Sequence, residues 1–278
     1  MGMSVTLGQK IESIDSNWVG KVFLWQEQAL FLGQAASTSL HESPAIKICI
    51  AIDGEIKLRT SEHESWKGFQ AAIIAPGQIH AIDCNQSTIA MLVLVPEAEM
   101  AQPLAPIFTR NGMSAIRPSV VKGLLPLFEE FAELDCYDVE TDKLCLSMVD
   151  RIRADNQIQL HKQSNSPLDP RVVTSIEQLR SENKNATSVK EIAANVALSE
   201  SRFSHLFSEQ LGVPVRRYLL WLRLREAMHL LAAGASLTKT AHEAGFADSA
   251  HLTRTFRGML GIAPSSLLRH SSLIPAKE

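Results

Sequence analysis

Two stretches of this chain set hydrogen-bonding side chains on the same spacing. One is "LSESRFSHLFSEQLG", starting at Leu198, and the other is "ADSAHLTRTFRGMLG", starting at Ala247. In the first, Phe203, Leu206, Phe207 and Leu211 recur at intervals of three and four, the apolar stripe of an amphipathic helix. That stripe turns Ser201, Arg202, Ser204, His205 and Ser208 outward. In the second, Leu252, Phe256, Met259 and Leu260 face in, and Ser249, Ala250, Thr253, Arg254 and Arg257 face out with His251 at the edge. These outward faces are short and polar at the start of the helix and basic further along. An arginine fork matches guanine O6 and N7, a threonine methyl meets the methyl of thymine, and serine or histidine pairs with several base edges. The competing reading is a solvated face of a helical bundle, and one copy of such a motif does not separate the two.

The duplication separates them. Aligning residues 193–213 with 241–262 matches Ala193 with Ala241, Ala197 with Gly245, Leu198 with Phe246, Glu200 with Asp248 and Ser201 with Ser249. One residue inserted further along the second copy then brings Phe207 onto Phe256, Leu211 onto Leu260 and Gly212 onto Gly261. Each copy reads as a short helix, a turn and a capped helix closed by glycine, which is a helix-turn-helix. Ser199 and Asp248 are the candidate caps, and Ser188 with Glu191 has the spacing of a capping box. "VRRYLLWLRLREAMHLLAAG" (215–234) predicts one long helix joining the copies and ending at Gly234. In such units the first residues of the second helix read base edges in the major groove while flanking groups hold phosphates.

Charge distribution agrees with that reading. The net charge is −3, yet residues 166–278 hold 14 of the 27 Lys+Arg against 10 of the 30 Asp+Glu. Basic residues are thus gathered where the doubled motif lies, and the acidic excess falls in residues 1–165. An apolar content of 45% fits a globular protein with a real core. Cys49, Cys84, Cys136 and Cys145 form no C-x-x-C and have no histidine at ligand spacing, so reduced thiols of a cytoplasmic protein are expected. No apolar run has transmembrane length and the N-terminus lacks the pattern of a secretory signal, so no membrane association is expected. The opening "MGMSVT" matches a loose myristoylation pattern, which chance explains as well.

The elements upstream differ in kind. Between about residues 18 and 96 the chain alternates short apolar runs with turn signals, including the hairpin "AIKICIAIDGEIKLRT" around Asp53-Gly54 and the turn at Pro76-Gly77. Strands without intervening helices predict a small barrel or sandwich. From Pro103 the period becomes helical, with Leu144, Met148 and Ile152 on one stripe. "HKQSNSPLD" is polar and is read as a linker. From Asp169, an N-cap before Pro170, the chain is expected to be helical to its end.

These motifs together resemble the AraC/XylS family of bacterial transcription regulators over about residues 170–270. The resemblance rests on the doubled unit, on Arg223-Leu224 and Ala227 with Leu230-Leu231 in the connecting helix, on the Gly245-Phe246 turn, and on Gly261 with Pro264. It implies an α+β two-domain fold. Residues 1–160 would be a cupin-like β-barrel for sensing, with a helical dimerisation segment near 116–155. Residues 161–168 would be the linker, and 169–278 an all-α domain of two helix-turn-helix units joined by a long helix. It implies base-facing Ser201, Arg202, Ser204, His205, Ser249, Ala250, His251, Thr253 and Arg254, with Arg257 nearer a phosphate. The partners implied are double-stranded DNA, a small-molecule effector, a second copy of the chain, and RNA polymerase if the protein is an activator. No enzymatic activity and no cofactor are expected. Two departures stand out: Ser208-Glu209 where basic residues often follow Phe207, and Leu267-Leu268 where an aromatic and an arginine usually follow Pro264. "PGQIH" resembles half of a cupin metal motif with His80 in the histidine position, but residues 1–165 contain no H-x-H. His41, His63 and His80 therefore meet only if folding brings them together, and no metal site is expected. His80 and Trp25 are the candidates for an effector pocket, with Trp66 a weaker one. The alternatives are a cupin-type metalloenzyme with a DNA-binding tail and a regulator controlled by a protein partner.

Overall fold

A computed structural model describes residues 18–101, 104, 112–133, 139–154, 168–181 and 188–275. Cys136 and most of the expected linker fall outside these residues. The strand-prone N-terminal runs form β1 (Val19–Leu24), β2 (Gln28–Gln34), β3 (Ile46–Ala51), β4 (Ile56–Arg59), β5 (Lys67–Phe69), β6 (Ala71–Ile74), β7 (Ala81–Asp83), β8 (Thr88–Leu94) and β9 (Met113–Ala115). Helices α1 (Pro118–Glu133) and α2 (Val139–Ala154) follow. The C-terminal part is α3 (Pro170–Ser181), α4 (Val189–Asn195), α5 (Glu200–Leu211), α6 (Val215–Ala232), α7 (Leu237–Glu243), α8 (Ser249–Leu260) and α9 (Pro264–Leu268), and then β10 (Ser271–Pro275).

The strands make a seven-stranded sheet in the order β10-β1-β2-β8-β3-β6-β9 and a three-stranded sheet in the order β5-β4-β7. Side chains alternate across a strand, so β3 sends Ile46, Ile48 and Ile50 to one face and Lys47, Cys49 and Ala51 to the other. The isoleucine face, with Leu30, Leu92 and Leu94, packs beneath Val121, Leu124 and Phe128 of α1 and Met148 and Ile152 of α2. The opposite face, with Phe31, Cys49 and Met91, shares a core with Leu58, Ile82 and the C-terminal residues Trp221, Leu224, Leu252 and Phe256. Burial on both faces is why β3 reads as an almost unbroken apolar run.

Helix α6 lies between two cores and so is apolar most of the way round. Its Tyr218 and Leu222 join Val172, Ile176, Phe203 and Phe207 in the core around α3, α4 and α5. Its Trp221, Leu224 and Met228 join α7, α8 and the sheet.

Two expectations are corrected here. The runs on either side of Asp53-Gly54 do not pair as a hairpin, since β3 pairs with β6 and β8 whereas β4 pairs with β5 and β7. The chain is not helical to its end, because Ser271–Pro275 pairs with β1 in parallel, setting Val22 opposite Leu273 and Phe23 opposite Ile274. The outer edge of β1 offers a row of unpaired backbone groups, and the segment after α9 satisfies them. Its partner lies some 250 residues away, so no local pattern announces the pairing.

Candidate nucleic-acid interface and inter-domain cavity

The two units are built by the same local devices. Ser199 caps α5 by accepting the Arg202 N–H, and Asp248 caps α8 by accepting the His251 N–H at 2.6 Å. Gly212 and Gly261 close the helices at φ 75 and 76°, a conformation that costs little only for a residue without Cβ. The matched turn residues Ala197 and Gly245 are both left-handed, at 55 and 78°. Ser188 and Glu191 form the expected capping box ahead of α4.

Both caps mark position zero of their helices, and this corrects the alignment. Ser199, not Glu200, is the counterpart of Asp248, and the extra residue of the second copy is Ala247 in the turn. The outward positions then correspond one to one: Ser201 with Ala250, Arg202 with His251, Ser204 with Thr253, His205 with Arg254, and Ser208 with Arg257. Ser249 corresponds to Glu200.

Ser201, Arg202, His205, Ala250, Arg254 and Arg257 are exposed, while Ser204, Ser249, His251 and Thr253 are half-buried. Thr253 donates its hydroxyl to the Ser249 carbonyl at 2.8 Å, which fixes its rotamer. His251 lies edge-on to Phe246, 5.3 Å between centroids, and its Nδ1 accepts the Ala247 N–H at 3.5 Å. The first unit carries acid at its edges: Glu209 is 3.6 Å from His205, and Glu200 is 3.8 Å from Arg216. The second is the more basic of the two faces. Its one carboxylate, Asp248, is held below its ordinary pKa, chiefly by the His251 backbone N–H that it accepts. Replacing Ser199 or Asp248 with alanine should lower stability by about 1 kcal/mol each. Denaturant unfolding of each variant checks this, and midpoints unchanged from wild type would refute it.

A second site lies where the sheet meets α6, α8 and α9. Phe31, Met91 and Val93 on the sheet side face Trp221, Leu224, Met228, Ile262 and Leu267 across a cavity of about 940 Å³, its open mouth included. Trp25 lines it. His80 does not line it but bonds to Lys47, which does. Trp66 is elsewhere, more than a third exposed, with the Arg59 guanidinium 4.6 Å above its ring. His41 and His80 do converge, through a backbone bridge with both N–H···O distances at 3.0 Å and ring centroids 4.2 Å apart, whereas His63 is exposed on the surface. What they enclose is the Lys47 amine, 2.5 Å from His41 Nε2 and 3.2 Å from His80 Nε2.

The tautomers follow from the partners. His41 Nδ1 faces the Ser39 carbonyl at 2.9 Å and His80 Nδ1 the Gln78 carbonyl at 2.8 Å, so both Nδ1 atoms donate and both Nε2 lone pairs face Lys47. Burial drives both imidazoles well below their ordinary pKa, keeping them neutral, and the Lys47 charge adds to the effect. Burial also pushes Lys47 down to about 7. The indole N–H groups of Trp18 and Trp221, which line the same cavity, meet no acceptor among the described residues. Lys47, Trp18 and Trp221 were not singled out by sequence reasoning, although Lys47 is the one charge inside "AIKICIAI".

Polar contacts fasten the two domains around this cavity. Arg180 bridges Glu27 at 2.7 Å and Glu97 at 2.8 Å, and the Tyr218 hydroxyl donates to Glu97. Arg217 meets Glu42 at 3.2 Å. The end of α8 is held directly: the Gly261 carbonyl accepts the Ser39 N–H at 2.9 Å, and the Gly258 carbonyl accepts the Glu42 N–H at 3.1 Å.

Comparison with known proteins adds the following. Residues 192–270 match the family model described as "Helix-turn-helix domain". The arabinose operon regulatory protein of Escherichia coli is 24% identical over 127 residues, 45% of this chain and 44% of that protein. The transcriptional activator NphR of Rhodococcus is 22% identical over 241 residues, 78% of this chain and 68% of that protein. The activator RhaS of Escherichia coli is 36% identical over 77 residues, 27% of this chain and 28% of that protein. The chain thus spans less than half the length of the arabinose regulators it matches. Among solved structures, apo ToxT from Vibrio cholerae superposes with a TM-score of 0.61 at 12% identity, covering 89% of this chain and 98% of that one. The N-terminal sheet domain with a C-terminal helical domain is therefore the two-domain α+β arrangement of ToxT.

Proposed function

We propose, from the premise that the C-terminal domain of this chain is an AraC-type helix-turn-helix domain, that the protein is a sequence-specific DNA-binding transcription regulator controlled by a small-molecule effector. The observation that carries this reading is the cap-to-cap equivalence of α5 and α8, which puts two sets of polar side chains at matching positions of two helices. In it, Ser201, Arg202, Ser204 and His205 read one major groove. Ser249, Ala250, His251, Thr253 and Arg254 read the next, and Arg257 holds a phosphate. The α6 helix acts as the spacer, since successive major grooves lie about 34 Å apart.

The N-terminal domain, read as a cupin-like barrel, senses the effector, and α1 and α2 supply a dimer contact. RNA polymerase is the further partner if the protein activates. Effector control is supported by the apolar cavity that both domains line. A solved structure of ToxT contains an unsaturated fatty acid, which makes an apolar small molecule a sensible class for this fold. No helix among the described residues is long and apolar enough to cross a membrane.

The test is selection of duplexes from a random library by the full chain at fixed low salt, followed by measurement of variants. Arg254→Ala should weaken the selected site by about 1–3 kcal/mol and relax base preference at one position. Arg257→Ala should weaken all duplexes alike and reduce the slope of log affinity against log salt by about 1. Unchanged affinity and preference in Arg254→Ala would remove it as a base reader, and failure to enrich any sequence would remove the reading as a whole.

A further inference from the structure

We propose that Lys47 binds an apolar aldehyde covalently, as an imine, so that the cavity is a carbonyl-sensing site; this rests on the effector reading above and names the chemical class of the effector. The geometry around the amine carries the inference. A neutral amine has two N–H bonds and one lone pair. Both N–H directions are taken by the Nε2 acceptors of His41 and His80, and those rings are fixed by their own Nδ1–H bonds to backbone carbonyls. The lone pair is left for the remaining side, and Lys47 lines the cavity. Among the described residues no carboxylate pairs with Lys47 to hold it as an ammonium, and its burial lowers its proton affinity. Desolvation in an apolar pocket is the ordinary way of making a lysine nucleophilic near neutral pH. The walls suit the other half of the reaction. Phe31, Met91, Val93, Trp221, Leu224 and Met228 give an aldehyde's hydrocarbon chain an apolar wall.

The step balances without a further reagent. The Lys47 nitrogen attacks the carbonyl carbon, forming a C–N bond as the π pair moves to oxygen. Attack makes the nitrogen cationic, and one of its protons passes to the alkoxide oxygen, giving a neutral carbinolamine, while the two imidazoles only orient the amine. The second amine proton passes to the hydroxyl, the C–O bond breaks, water departs, and C=N forms. The two imidazoles end as they began. With both amine protons gone, His41 loses the donor that held it. Its Nδ1 lies 2.5 Å from where a Cβ on Gly261 would stand, so the adduct is formed directly beneath the C-cap of α8.

Decanal is a suitable probe, with decanoic acid and decanol as controls of equal chain length. The full chain is incubated with decanal at pH 7, reduced with borohydride, weighed intact and mapped by peptides. The expected product is a single adduct with the mass of decanal less one oxygen, on Lys47. Its labelling should exceed that of exposed lysines by roughly a thousandfold per site, because an ordinary lysine is almost wholly protonated at this pH. His80→Gln should slow labelling while leaving the fold intact by circular dichroism, and Lys47→Arg should abolish the adduct. Labels spread over exposed lysines with Lys47 unmodified overturn the proposal. If in that case decanoic acid still quenches tryptophan fluorescence and shifts melting, the cavity is an effector site of non-covalent type, and the proposed function survives. If no probe binds while the chain still selects a DNA site, both the imine and the cavity as effector site fall, and DNA recognition alone stands.

Discussion

Gly261→Ala is expected to destabilise the protein by about 2–4 kcal/mol, whereas Gly234→Ala costs about 1–2 kcal/mol, although both glycines end helices in the left-handed region. Gly234 sits at φ 84° with nothing within 4 Å of an added Cβ, so only the backbone conformation is penalised. At Gly261 the same atom would stand 2.5 Å from His41 Nδ1, 2.7 Å from Thr38 Cβ and 2.9 Å from the Ser39 carbonyl. None of these is the free end of a flexible chain. His41 is bound through both ring nitrogens, and Thr38 is buried and paired with Ile82 in both directions. The methyl must therefore push α8 away from residues 38–42. Denaturant unfolding of the two variants measures the difference. Limited proteolysis of the native state should show the segment around Ser39 cut faster only in Gly261→Ala. Equal losses in the two variants would mean that the α8 contact adds nothing to the fold.

The second large effect is on pH dependence. Between about pH 7 and 10 the unfolded chain keeps a proton on Lys47 that the folded chain has released, because the folded pKa lies near 7 and the ordinary one near 10.5. The unfolded state then binds more protons at this site, so Lys47 makes stability rise with pH, at up to about 1.4 kcal/mol per pH unit, until about pH 9, where the buried Cys49, Cys84 and Cys145 thiols, kept protonated by burial, pull the other way. On the acid side the sign is the same. Below about pH 6.5 unfolded His41 and His80 take up protons that the buried rings refuse, so stability falls as pH drops, at up to about 2.7 kcal/mol per unit for the two together. Lys47→Met should flatten the alkaline limb and keep the acid one. Unfolding free energies at four or five pH values for the two proteins test this. An alkaline slope identical in both would show that Lys47 is not buried as an amine.

How far these features were legible in the sequence depends on how local their causes are. The helix pairs α4–α5 and α7–α8 were readable because caps, apolar stripes and closing glycines are all set within a dozen residues. Their register was misread by one at the cap because Glu200 and Asp248 are chemically alike, and only hydrogen bonding distinguishes the residue that caps from its neighbour. The lysine centre was not found, because His41, Lys47 and His80 are assembled by the pairing of distant strands, and their spacing carries no motif. The C-terminal half of the cavity was hidden for the same reason: Trp221 and Leu224 read as ordinary helix core, and the core proves to be shared with a sheet.

The strand β10 has a consequence for how this chain is made. Its partner β1 is the first described strand to be synthesised, and β10 is the last. Every other pairing in the seven-stranded sheet can close while the helical domain is still being translated, but the β1 edge must wait. Until it closes, the nascent chain carries an exposed strand edge able to pair with another chain, the ordinary route to co-translational aggregation. Burial of the β1 edge also demands the longest strand-to-strand loop closure among the described residues, so the joining of the two domains is expected to be the slow phase of refolding.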